Sequence, residues 1–153
     1  MSTHTSWTDV RAQAPELAAL VQAIFTSGTN KTLATLRADG SPRISGTELE
    51  FAGDDVTLGM MPGSRKLQDV LRDPRVAIHS PTLEPPSDVT QWIGDAKLAG
   101  RLVEIPGPGA GPPGAYFALD VAEVVHTCVD PTGKLLVVTS WQRGRGLTTV
   151  RRE

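Results

Sequence analysis

The sequence predicts a mainly β protein, an antiparallel β-barrel with flanking helices. Three observations lead there. The turn sequences Ala38-Asp39-Gly40 and Asp130-Pro131-Thr132-Gly133 each separate two runs of strand-forming residues, as hairpin turns do. Apolar residues within several runs alternate with small or polar ones, the period of a half-buried strand. The runs also follow one another without regularly intervening helices, which argues against a doubly wound parallel sheet.

Two helices are predicted near and within the first half. Leu17, Leu20, Val21, Ile24 and Phe25 recur at helical spacing behind Pro15, which suits a first turn, and Ser27-Gly28 stops the run. This gives a helix over about 15–27. A shorter one has Ser64 as N-cap, Leu67, Val70 and Leu71 as its apolar stripe, and Asp73-Pro74 as its end. Strands are predicted over Lys31–Arg37, Pro42–Phe51, Val56–Met61, Val76–Ser80, Ala96–Ile105, Leu119–Val129 and Lys134–Trp141. In Pro42–Phe51 the apolar positions change phase between Ile44 and Leu49, and Gly46 lies between them, so a β-bulge is expected there. Eight Gly and Pro residues within Pro106–Gly114 forbid a helix or central strand, so this segment is expected to be a loop inside one domain spanning 1–153.

Composition narrows the function classes. The 153 residues suffice for one core, and 39% hydrophobic residues with 15 Gly lie in the ordinary globular range. A net charge of -2 argues against a general nucleic-acid coat, and the basic run Gln142-Arg143-Gly144-Arg145 with Arg151-Arg152 lacks interleaved aromatics apart from Trp141, so no nucleic-acid partner is expected. Cys128 is the single cysteine, which excludes an internal disulfide and suits a reducing compartment. No apolar run of membrane-spanning length occurs and Met1–Val10 is polar, so a cytoplasmic protein without membrane association is expected. His126 and Cys128 share a strand face, but side chains two apart stand side by side and seldom align as a catalytic pair. Neither they nor His79 point to a metal site or a catalytic residue.

One stretch carries chemistry. Gly59-Met60-Met61-Pro62-Gly63-Ser64-Arg65-Lys66 places two cations in the first turn of a helix, where the macrodipole disfavours positive charge by about 0.3–1 kcal/mol. An anion removes that conflict, because free N–H groups, the Ser64 hydroxyl, a guanidinium and an ammonium together suit a phosphate. A solvated surface pair with Ser64 as a plain cap is the competing explanation. Likewise Ser45, Gly46 and Thr47 are small enough to let a flat ring lie against backbone, or serve barrel closure alone.

These segments resemble the pyridoxamine 5'-phosphate oxidase-like family of FMN-binding split β-barrel proteins. "TLATLRADGSPRISGTELEF" is similar to the family's strand pair, and "GMMPGSRKLQDVLRDPRVAIHS" to its phosphate motif and the strand that follows; the likeness runs roughly from Thr32 to Arg151. It implies a homodimer with FMN, or in related branches coenzyme F-420, in a groove between subunits. It further implies that Arg65 and Lys66, with Ser64, hold the cofactor phosphate, that Arg43, Ile44, Ser45, Gly46 and Thr47 run beside ring and phosphate, and that Met60 and Met61 approach the cofactor. Trp141 would reach it from the partner subunit, with Arg145 or Arg151 nearby.

The resemblance also has gaps. Gly144–Arg151 lacks the His of the true oxidase's Arg-x-His motif, and Met61-Pro62 replaces the usual aromatic or polar pair. The expected function is thus an FMN-dependent oxidoreductase acting on a small organic substrate other than pyridoxamine phosphate. A coenzyme F-420-dependent reductase is the alternative, and a non-catalytic flavin- or haem-binding protein a further one, with His79 and His126 the candidate haem ligands.

Overall fold

The computed structural model describes residues 3–109 and 115–153. Its first half holds helices α1 (Trp7–Gln13) and α2 (Pro15–Phe25), strands β1 (Lys31–Leu36), β2 (Pro42–Thr47), β3 (Glu50–Ala52) and β4 (Asp55–Gly59), and helix α3 (Arg65–Arg72). Strands β5 (Arg75–His79), β6 (Asp95–Glu104), β7 (Tyr116–Val129), β8 (Leu136–Gln142) and β9 (Gly146–Arg152) follow. All strand pairs are antiparallel, in the order β2-β1-β5-β6-β7-β4-β3, with β8 also on β7 and β9 on β8.

The barrel follows from this order. Strands β2 and β3 lie at opposite ends of the seven-strand path, yet only Glu48 and Leu49 separate them in sequence. Three Cα–Cα steps reach at most about 11 Å, so the sheet must curl until its ends nearly meet. Strand β7 divides the far side: Tyr116–Ala118 pair with β4, whereas Glu123–Val129 pair with β8. The gap between them is filled by other groups. Val121 N–H donates to the Thr5 carbonyl, and the Arg143 guanidinium reaches Asp120 Oδ1 at 2.7 Å and the Val121 carbonyl at 2.8 Å.

The inner face carries Leu33, Val56, Leu58, Ile78, Leu98, Phe117 and Leu119, all buried. Helix α2 closes it with Leu17, Val21, Ile24 and Phe25, as its 3–4 spacing requires. The shorter α1, which the sequence reading did not predict, adds Trp7 and Val10. A signal for it exists, because Ser6 and Asp9 form a reciprocal capping box. Only Trp7 and Val10 follow as large apolar residues, too few to mark a period.

Four other expectations change. The single strand Pro42–Phe51 is two strands, and the phase change falls at the Glu48-Leu49 crossing; Gly46 pairs regularly with Thr32. The bulge instead lies in β7 at Ala122, which has no partner where Ala99 pairs with Glu123 and Gly100 with Val121. Leu71 is 55% exposed, and the buried face of α3 is Leu67, Asp69 and Val70. The C-terminal basic run is divided: Arg143-Gly144-Arg145 form the turn from β8 into a strand not predicted, β9, which Arg151-Arg152 end, with Gly144 and Gly146 at positive φ. Of the Gly/Pro-rich segment, Ala110 to Gly114 lie outside the described residues, while Ile105 N–H donates to the Tyr116 carbonyl across it.

Gly100 is fixed by contact. A Cβ there would stand 2.0 Å from the Asp120 carbonyl oxygen, a backbone atom of the neighbouring strand. Gly100→Ala should therefore cost about 1–3 kcal/mol, the range for overpacking, measured by urea denaturation. An unchanged midpoint would mean that β6 and β7 are less tightly apposed at the bulge.

Candidate functional site

Strand β2 and the start of α3 build the site. Ser64 caps the helix, its Oγ accepting from Leu67 N–H at 3.3 Å, and a turn closed by Ser64 N–H to the Met61 carbonyl, with Gly63 at φ 79°, leads into it. No acid occupies the first turn of α3. Arg65 is exposed and has no ion pair among the described residues. Lys66 Nζ donates to the Gly46 carbonyl at 2.7 Å and so ties the helix start to β2.

Alternation gives β2 two different faces. Arg43, Ser45 and Thr47 share the inward face with their partners Thr35, Leu33 and Lys31. Ile44, 74% exposed, and Gly46 face outward beside Ala34 and Thr32, and no atom lies within 4 Å of where a Gly46 Cβ would be. Ser45 Oγ is buried and has no hydrogen-bond partner. A buried, unpaired hydroxyl costs about 1–3 kcal/mol.

Beneath the cations lies Asp69, 3% exposed. Its Oδ2 accepts from Arg43 Nε and from Thr35 Oγ1, each at 2.7 Å, and its Oδ1 from an Arg72 Nη at 3.1 Å. Burial pushes this carboxyl up, but the hydrogen bonds from Arg43, Thr35 and Arg72 and the charge of Arg43 outweigh it, so it lies below the ordinary carboxylate range. Asp69 carries no signal of its own in the sequence, because it falls between the apolar positions of a helix of barely two turns. An inward-facing arginine at Arg43 was the available signal, since a half-buried guanidinium needs a carboxylate.

Met60 is buried, and Met61 is 78% exposed at the rim of a groove of about 1100 Å³. That groove runs between the end of α2, Glu48 to Glu50, β4 and Tyr116. Lys31 also lines it, a second residue not anticipated. Its Nζ donates to the Gly28 and Thr29 carbonyls at 2.7 and 3.1 Å, and burial pushes its pKa down, with Glu48 acting the other way.

Trp141 is elsewhere. It is 1% exposed in the core of its own chain, and its indole N–H donates to Gln13 Oε1 at 3.2 Å. The expectation that it reaches a cofactor from a partner subunit is corrected on that ground, because so enclosed a side chain has no surface to offer. Arg145 in the β8–β9 turn and Arg151 in β9 are separated from β2 by β1, β5, β6, β7 and β8 along the sheet. One chain does not bring them to Arg65 and Lys66 through strand pairing. His126 is buried with Nε2 2.7 Å from the Ile93 carbonyl, and His79 is half-buried with Nδ1 2.7 Å from the Ser80 carbonyl.

Comparison with solved structures defines the class of fold. The chain is similar to PhzG from Burkholderia lata (12% identity, TM-score 0.65), covering 94% of this chain and 91% of that one. It is similar to a pyridoxamine 5'-phosphate oxidase-related, FMN-binding protein from Nostoc punctiforme (11%, 0.58), covering 94% and 96%. A heme-binding protein from Mycobacterium smegmatis is a third (15%, 0.58), covering 89% and 87%. The chain thus has the split β-barrel fold of the pyridoxamine 5'-phosphate oxidase-like proteins. No sequence-family profile matches it, and no curated protein does. Among the described residues, no helix is long and apolar enough to cross a membrane.

Proposed function

We propose that this protein binds FMN and acts as an oxidoreductase on a small organic substrate. The observation that carries the reading is the meeting of α3 and β2. Two cations at a capped helix start, neither paired with an acid among the described residues, stand beside a strand whose outward face is open at Gly46, and Lys66 joins the two. Ser64, Arg65 and Lys66 would take the phosphate, with charge-assisted hydrogen bonds at a helix N-terminus. Ile44 and Gly46 would lie under the ring, and the half-buried Arg43 guanidinium, on the other face of β2 beside α3, would reach toward the phosphate. FMN, when bound, supplies the hydride or electron chemistry, and the protein supplies anchorage, orientation and a wall against water.

A second copy would complete this site. Strand β9 is exposed along nearly its whole length, with Leu147 and Val150 open to solvent. Pairing of copies over this face would bury it and could bring Arg145 and Arg151 to the cofactor of the other copy. The groove beside Met61 adjoins the helix start and would admit the substrate.

Titration of the purified chain with FMN, coenzyme F-420 and hemin tests the proposal. FMN should bind with micromolar or lower Kd and at least tenfold more tightly than F-420, with elution at dimer mass on gel filtration. Tighter binding of F-420 would replace FMN as cofactor. Hemin binding alone, which the similarity to a heme-binding protein and the half-exposed His79 favour, would overturn the oxidoreductase reading.

A further inference from the structure

We infer that Asp69 is the positioning residue of the phosphate cradle: it clamps Arg43 by one edge so that the rest of the guanidinium is presented to the cofactor's phosphate. The inference rests on the FMN reading above. A guanidinium has five N–H donors in a rigid fork. In Arg43 only Nε is engaged, by Asp69 Oδ2 at 2.7 Å, and neither terminal nitrogen has an acceptor among the described residues. The side chain is 23% exposed, so those nitrogens are not sealed in the core.

Asp69 is itself fixed on every side. Thr35 holds it from β1, Arg43 from β2 and Arg72 from its own helix, and Arg72 is steadied by the Leu36 carbonyl at 3.0 Å. The carboxylate thus joins three elements at one point and sits one turn beyond Arg65 and Lys66. A buried charge so held sets geometry more than stability, since desolvation offsets much of the Coulomb gain. An arginine placed by its Nε edge also loses little freedom when a phosphate takes the other edge, and lysine cannot reproduce this. Ser45, two residues along the same face, carries the unpaired hydroxyl.

The test separates this role from a merely structural one by comparing FMN with riboflavin, which lacks the phosphate. In the native chain FMN should bind at least tenfold more tightly than riboflavin. Asp69→Asn should weaken FMN at least tenfold and leave riboflavin within twofold. Equal loss for both flavins, or an unchanged ratio, would overturn the positioning role while leaving FMN binding standing. Binding of neither flavin to the native chain would overturn the FMN reading itself. Should Asp69→Asn fail to fold, Arg43→Lys keeps the charge and removes the fork. It should lower the FMN-to-riboflavin ratio at least fivefold, and an unchanged ratio would overturn the inference.

Discussion

Reversing both charges, in Arg65→Glu/Lys66→Glu, should weaken FMN binding by at least about a thousandfold, because two charge-assisted hydrogen bonds at roughly 1.5–3 kcal/mol each become repulsions. The unliganded protein should respond in the opposite sense at Arg65. An exposed cation in the first turn of α3 opposes the helix macrodipole, so Arg65→Glu alone should stabilise the empty fold by about 0.5–1 kcal/mol at low ionic strength. Lys66 is less free, since its substitution also removes the bond to the Gly46 carbonyl. Isothermal titration gives the first quantity and urea denaturation at low and high salt the second. An Arg65→Glu chain that binds FMN as the native one does would end the phosphate assignment.

Trp141→Ala should lower stability by about 3–5 kcal/mol, the cost of emptying a fully enclosed aromatic site. That is a large share of the roughly 5–15 kcal/mol that holds a domain together, so partial unfolding at 37 °C is expected. Trp141→Phe should recover most of the loss, less the bond to Gln13. It should leave FMN affinity within twofold, because the indole packs under α1 and away from β2. A tenfold loss of affinity in Trp141→Phe at unchanged stability would return this residue to the cofactor.

Trp141 also marks the boundary of what the sequence discloses. Strand alternation, the two turn motifs and the capped cationic helix start are local signals, and each led to the element found there. The position of Trp141 is not local. Its inward face is set by register with Val124, and a motif likeness carries no register. The same holds for Glu48-Leu49: a change of apolar phase signals some break in a strand, but a bulge and a crossing to the far end of the sheet leave the same mark. Asp69 was hidden for a different reason. Its value lies in partners 34 and 26 residues away, which nothing in its own helix announces.

Strand β7 has a consequence for assembly in time. It pairs along one edge with β6 and along the other with β4 and then β8, so the two arms of the sheet meet only on it. During synthesis β1 to β6 emerge before it and can form only the β1–β2 and β3–β4 hairpins and the sheet of β1, β2, β5 and β6. Until Tyr116–Val129 arrives, β4 and β6 expose bare hydrogen-bonding edges, the surfaces on which nascent chains aggregate. Folding is thereby gated by a late segment, and closure entropy must be met before its contacts reward it. Sequence changes in β7 should act first on yield and folding rate, even where the finished barrel tolerates them.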